Sequence, residues 1–83
     1  MARILIVDDS LLARKTLRNM VMALGHTVAG EANDGLQAFE QYVKLRPDVV
    51  TMDLTMDGSD GDKAITEIIA AFPEARIIVV SAR

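Results

Sequence analysis

The sequence predicts an α/β domain in which the strands of one parallel sheet alternate with amphipathic helices in the order βαβαβαβ. Three observations carry that expectation. Ile4-Leu5-Ile6-Val7, Val49-Val50-Thr51-Met52 and Ile77-Ile78-Val79-Val80 are apolar with little polar alternation, the pattern of strands buried on both faces. Between them, apolar residues recur at helical spacing. The first and second of these runs end in aspartates, Asp8-Asp9 and Asp53, placing carboxylates at strand carboxyl ends, where open α/β sheets hold ligands.

Each element has its own signal. Strand one runs from Arg3 to Val7. Ser10 is suited to cap a helix, and Ala13, Leu17, Met20, Val21 and Leu24 then follow on one amphipathic stripe, closed by Gly25. Met20 and Met22 read as core filler, whereas Arg14, Lys15 and Arg18 read as a solvated face. Thr27-Val28-Ala29-Gly30 is a short, weak strand. Asn33-Asp34-Gly35 is turn chemistry, and Leu36, Phe39, Tyr42 and Val43 mark a second helix stopped before Pro47. The next strand ends at Asp53. A polar loop from Thr55 to Asp60 leads into a third helix on Gly61, Ala64, Ile65, Ile68, Ile69 and Phe72, stopped before Pro73. A last strand, Ile77 to Val80, is followed by Ser81-Ala82-Arg83.

Size and charge narrow the function. Eighty-three residues make one small domain, and half are apolar, as in ordinary globular chains. A net charge of −3 argues against a nucleic-acid or anionic-membrane surface. Phe39, Tyr42 and Phe72 are too few aromatics for a base-stacking platform. The absence of cysteine excludes disulfides and thiolate metal sites. The apolar run after Met1 is too short for a signal peptide or membrane span, so a cytoplasmic location is expected.

In parallel strands of one sheet, Asp8, Asp9 and Asp53 converge on one rim. Carboxylates so crowded repel, and a cation would hold them together. Asp9 and Asp53 offer hard oxygen ligands suited to Mg²⁺. A carboxylate is also a nucleophile able to accept a phosphoryl group, and Ser81, on the same rim, could donate its hydroxyl to a phosphoryl oxygen. The plainer alternative makes Asp8 and Asp9 a helix cap and Asp53 a turn residue; matched strand ends favour the site.

The chain resembles the receiver domain of two-component response regulators, and in particular the chemotaxis regulators. The residues that carry the resemblance are Ile4-Leu5-Ile6-Val7-Asp8-Asp9-Ser10 with Arg14, Gly30-Glu31-Ala32-Asn33-Asp34-Gly35 with Ala38, and Arg46-Pro47-Asp48-Val49-Val50. Asp53-Leu54-Thr55-Met56, Gly61 and Val80-Ser81-Ala82 complete it. The resemblance implies an incomplete flavodoxin-like sheet of order 2-1-3-4 across residues 1–83, a partial receiver without the family's last strand and last two helices. It implies that Asp53 accepts phosphate from a histidine kinase. It further implies that Asp8, Asp9 and Asp53 would hold Mg²⁺ with the Thr55 backbone carbonyl, and that the Ser81 hydroxyl would act as the switch. The helix carrying Arg14, Lys15 and Arg18 is the one that in such regulators often meets the kinase. The chain would be a phosphoacceptor rather than an enzyme.

Two departures shape the expectations. Asp57 stands where the family has a proline, inside Asp57-Gly58-Ser59-Asp60-Gly61-Asp62, adding flexibility and negative charge beside an anion site. The chain also stops before the family's phosphate-binding lysine, so slower phosphorylation is expected. A homodimer is expected through the open face near Leu17, Val21 and Leu24 and the apolar edge Ile77 to Val80. The alternative is a fragment that folds and self-assembles without signalling.

Other readings fit less well. Asp53 to Gly58 matches the start of a calcium-binding EF-hand loop, yet its twelfth position is Ala64 rather than a bidentate glutamate. Asp-x-Thr also resembles phosphatases of the haloacid-dehalogenase type, whose downstream lysine and acidic pair do not follow here. His26 reads as a surface residue.

Overall fold

A computed structural model describes residues 1–56 and 60–80. Its elements are β1 (Arg3–Val7), α1 (Leu11–Ala23), β2 (Thr27–Ala32), α2 (Gly35–Leu45), β3 (Val49–Met52), α3 (Asp60–Ala71) and β4 (Ile77–Val79). The strands form one four-stranded sheet of order β2-β1-β3-β4, and every pairing is parallel. The expected architecture and strand order are therefore present.

Central position explains the all-apolar strands. In β1 alternate side chains point to opposite faces, and both faces are covered. Leu5 and Val7 join Val50 and Met52 beneath α2 and α3, where Ala38, Tyr42, Ala64 and Ile68 complete one core. Ile4 and Ile6 meet Val21 of α1 on the other face, with Leu17, Val28 and Val49 packed around them. One helix thus covers one face and two cover the other.

The helix ends follow local chemistry. Ser10 Oγ accepts from the Ala13 amide at 3.2 Å, and Asp34 Oδ1 accepts from the Gln37 amide at 2.8 Å, each satisfying a donor left free by a first turn. Gly25, at φ +86°, ends α1 in the left-handed region that a side chain would disfavour.

Three expectations need correction. Met20 and Met22 are not core filler: they are 55% and 57% exposed. Only the seam through Leu17 and Val21 faces the sheet, and both methionines project about 100° to either side of it. In α2 the buried stripe is Gly35, Ala38 and Tyr42, while Leu36 and Val43 are exposed. Tyr42 and Phe39 do pack into the core as expected, but the stripe is completed by Gly35 and Ala38, whose small size lets α2 approach its neighbours closely, and not by Leu36 and Val43. Finally, β2 extends to Ala32 rather than stopping at Gly30. Its pairing with β1 shifts register between Ile4 and Leu5, so that Ala29 is skipped, and the strand then continues through Glu31 and Ala32.

Candidate functional site

Adjacent strands in register build the site. Val7 pairs with Met52, so the next residues, Asp8 and Asp53, leave the sheet side by side. Backbone bonds still hold both: the Asp53 amide donates to the Val7 carbonyl and the Asp8 amide to the Ala32 carbonyl, each at 3.0 Å. One oxygen from each of Asp8, Asp9 and Asp53 lies within 4.8 Å of the others. Asp8 and Asp53 are buried and Asp9 is exposed. A cleft of about 470 Å³ opens over this rim, with Leu12 and Val80 among its apolar walls.

Hydrogen bonds fix the carboxylates individually. Asp8 Oδ1 accepts from the Ser10 amide at 2.9 Å. Asp53 Oδ1 accepts from both the Thr55 amide, at 2.8 Å, and the Thr55 hydroxyl, at 2.7 Å. Gly61 matters to this loop because a Cβ there would stand 2.7 Å from the Asp53 carbonyl oxygen. The first turn of α3 therefore rests directly on the segment that carries Asp53.

The electrostatics are unbalanced. Burial, reinforced by the neighbouring Asp53 and Asp9 charges, pushes the Asp8 carboxyl above its ordinary value, although the Ser10 amide opposes the rise. Among the described residues the ion pairs are Arg14–Glu31 and Arg18–Glu31, and neither reaches the rim carboxylates. The donor set is hard oxygen, with no nitrogen or sulfur ligand in the cluster, which fits Mg²⁺ rather than a soft transition metal.

The structure places Asp8, Asp9 and Asp53 together on the rim, with Thr55 bonded to Asp53. Thr55 has a role that sequence reading missed, because its amide and hydroxyl both orient Asp53. The Val80 amide donates to the Met52 carbonyl at 2.9 Å, so pairing continues to the residue before Ser81. Ser81 itself, and Asp57, lie outside the described residues. His26 is half-buried rather than a surface residue: its Nδ1 accepts from the Ala2 amide at 2.9 Å, at the opposite end of β1.

Arg14 also departs from expectation. It does not belong to a solvated face: its side chain is only 14% exposed. Its Nε donates to Glu31 Oε1 at 3.0 Å and its Nη1 to the Asp8 carbonyl at 2.7 Å. Arg18 adds a bond to Glu31 Oε2 at 2.8 Å. The only signal in the sequence was an acid at the end of β2 and a base one turn into α1. That pair becomes legible once β2 is known to lie beside β1.

A parallel sheet of this order, with paired acids after β1 and one after β3, defines the receiver class of α/β proteins. The chain belongs to the response regulator receiver domain family, whose model matches residues 4–83. It is 49% identical over 80 residues to the chemotaxis protein CheY of Thermotoga maritima, covering 96% of this chain and 67% of that one. A LuxR-family two-component response regulator from Aurantimonas superposes with a TM-score of 0.94 at 34% identity, across 100% of this chain and 60% of that one. The CheX–CheY–BeF3–Mg²⁺ complex from Borrelia burgdorferi superposes with a TM-score of 0.92 at 34% identity, over 98% of this chain and 62% of that one. The chain thus spans about two-thirds of its relatives' length or somewhat less. Among the described residues, no helix is long and apolar enough to cross a membrane.

Proposed function

We infer that Asp53 is a phosphoacceptor that takes a phosphoryl group from the phosphohistidine of a histidine kinase in a two-component relay. The observation that carries this reading is a buried aspartate at a strand end, opening onto a cleft and sharing a 4.8 Å cluster with two further carboxylates. Both Thr55 donors converge on Asp53 Oδ1, so Oδ2 is the oxygen left to attack. An oxygen–phosphorus bond forms, the phosphorus–nitrogen bond breaks, and the histidine nitrogen keeps the electron pair.

Asp9 and Asp53 would hold Mg²⁺ with the Thr55 backbone carbonyl, and Asp8 would act mostly through water. When bound, the ion neutralises the charge that gathers as an anionic phosphoryl group meets crowded carboxylates. The protein's own part is to hold Asp53 still, place Asp8 and Asp9 beside it and present one oxygen. Ser81, on the segment following Val80, is the hydroxyl assigned to the switch. The chain is read as a stoichiometric acceptor rather than an enzyme, acting in the cytoplasm. Its similarity to CheY proteins supports a place in chemotaxis signalling. Its likeness to the CheY of the Borrelia complex, which is bound with BeF3 and Mg²⁺, supports the metal.

Incubation with a small-molecule phosphoryl donor tests the reading. Intact mass should rise by one phosphate only when Mg²⁺ is present, and Asp53→Asn should abolish the gain. Phosphate found on Ser10, Ser59 or Ser81 in that variant overturns the assignment. Self-association is a separate part of the reading. Of the expected dimer surface, Val21 is buried and Leu17 packs against it, so only Leu24 of that patch is open. Among the described residues the edge strand β4 leaves Ile78 55% and Val79 48% exposed, a surface suited to pairing with a second copy. A monomer by sedimentation at high micromolar concentration removes it.

A further inference from the structure

We propose that Arg14, held by Glu31, is a positioning residue that sets the Asp8–Asp9 peptide for cation binding. The proposal rests on the metal reading above and deepens it. Asp8 is tied to β2 twice. Its amide donates directly to the Ala32 carbonyl at 3.0 Å. Its carbonyl accepts from Arg14 Nη1 at 2.7 Å, and Arg14 is fixed in turn by Glu31, the residue before Ala32.

The second tie carries the consequence. The carbonyl that Arg14 grips belongs to the same rigid peptide unit as the Asp9 N–H. Rotation of that unit is the freedom by which the Asp9 carboxylate, exposed and off the end of the strand, could swing away from Asp8 and Asp53. Arg14 is suited to hold it because a guanidinium presents several donors in a fixed plane, here one for Glu31 and one for the carbonyl. The side chain is 14% exposed against 45% for Arg18, which reaches only Glu31. The inner arginine is therefore the strut, and the outer one steadies its anchor.

The sign of the effect separates positioning from charge. Removing a nearby positive charge by itself should strengthen binding of a divalent cation. Loss of positioning should weaken it, on the order of tenfold for a supporting partner of a ligand. The test is calorimetric titration of the protein with Mn²⁺, alongside the Asp9 amide resonance in metal-free protein. Arg14→Gln is expected to weaken Mn²⁺ binding on the order of tenfold and to shift the Asp9 amide. Arg14→Lys keeps the charge but lacks the planar fork, so it should recover part of the affinity. Arg18→Gln should change affinity by less than about twofold.

Unchanged or tighter Mn²⁺ binding in Arg14→Gln, or an Asp9 amide that does not move, overturns the proposal. If Arg14→Gln does not fold, Glu31→Gln and Arg14→Lys are read by the Asp9 resonance, and its constancy in both is equally fatal. No Mn²⁺ uptake by the parent overturns the metal reading itself. In that event a shifted Asp9 amide still supports Arg14 as the fixer of the peptide, and an unmoved one rejects it.

Discussion

The two ends of the sheet are built on opposite electrostatic principles. At the amino end polar groups are paired off. The Arg3 guanidinium donates to the Leu45 and Arg46 carbonyls at 2.9 and 3.0 Å, satisfying acceptors that the end of α2 leaves free. Asp48 Oδ2 accepts from the Arg3 amide at 2.7 Å, and the Arg46 guanidinium lies 4.1 Å from the Phe72 ring centre. At the carboxyl end three carboxylates crowd together, and neither ion pair among the described residues includes them. One end is arranged for stability, while the other gathers like charge that works against it. The contrast teaches where to look for function in a sheet whose strands are otherwise alike.

The largest break in that comparison is expected from Asp53→Asn. Phosphoryl uptake should vanish, as read by intact mass, because an amide lacks the nucleophilic oxygen. Metal-free stability should nevertheless rise in urea titration, since the substitution removes one of three carboxylates crowded together in the folded state. A less stable variant would mean that the rim is not strained. Asp9→Asn should next weaken Mg²⁺ binding strongly by calorimetry, and an affinity equal to the parent's would remove Asp9 from the ligand set.

pH sharpens the same contrast. The Asp8 carboxyl lies above its ordinary value in the folded protein, chiefly through burial. Its contribution to stability is therefore fully present below the unfolded carboxyl's value and is lost as pH rises through the higher folded one. Without metal, this group should make the protein less stable at neutral than at mildly acidic pH, and Asp8→Asn should flatten that part of the profile. Mg²⁺ affinity should fall on acidification through the same window, because protons and metal compete for one carboxylate. A parent and Asp8→Asn profile that coincide would contradict this.

Smaller effects are expected at the amino end and at Thr55. Arg3→Ala should lower stability by up to about 1 kcal/mol through lost carbonyl bonds, with Mg²⁺ affinity unchanged. A change in affinity would show that the two ends communicate. Thr55→Val removes the hydroxyl bond to Asp53 Oδ1 but keeps the amide bond, so phosphoryl uptake should slow only a few-fold by time-resolved mass measurement.

Periodicity alone determined much of this protein. Apolar runs in β1 and β3, helical stripes between strands and aspartates at matched strand ends were sufficient for the parallel sheet and its acidic rim. These are local signals, written in short continuous apolar runs and in helical stripes at a spacing of 3.6 residues. Tertiary structure decided what depends on neighbours distant in sequence. Which stripe of α2 is buried followed from close packing at Gly35 and Ala38, not from the bulk of Leu36 and Val43. The reach of β2 to Ala32 depended on a shift in register against β1. Arg14 became a strut because that register places Glu31 opposite Ile6, one strand away from the peptide it supports. A charge in a sequence carries no mark of its partner, since pairing is made in space, and only the folded chain brings the two together.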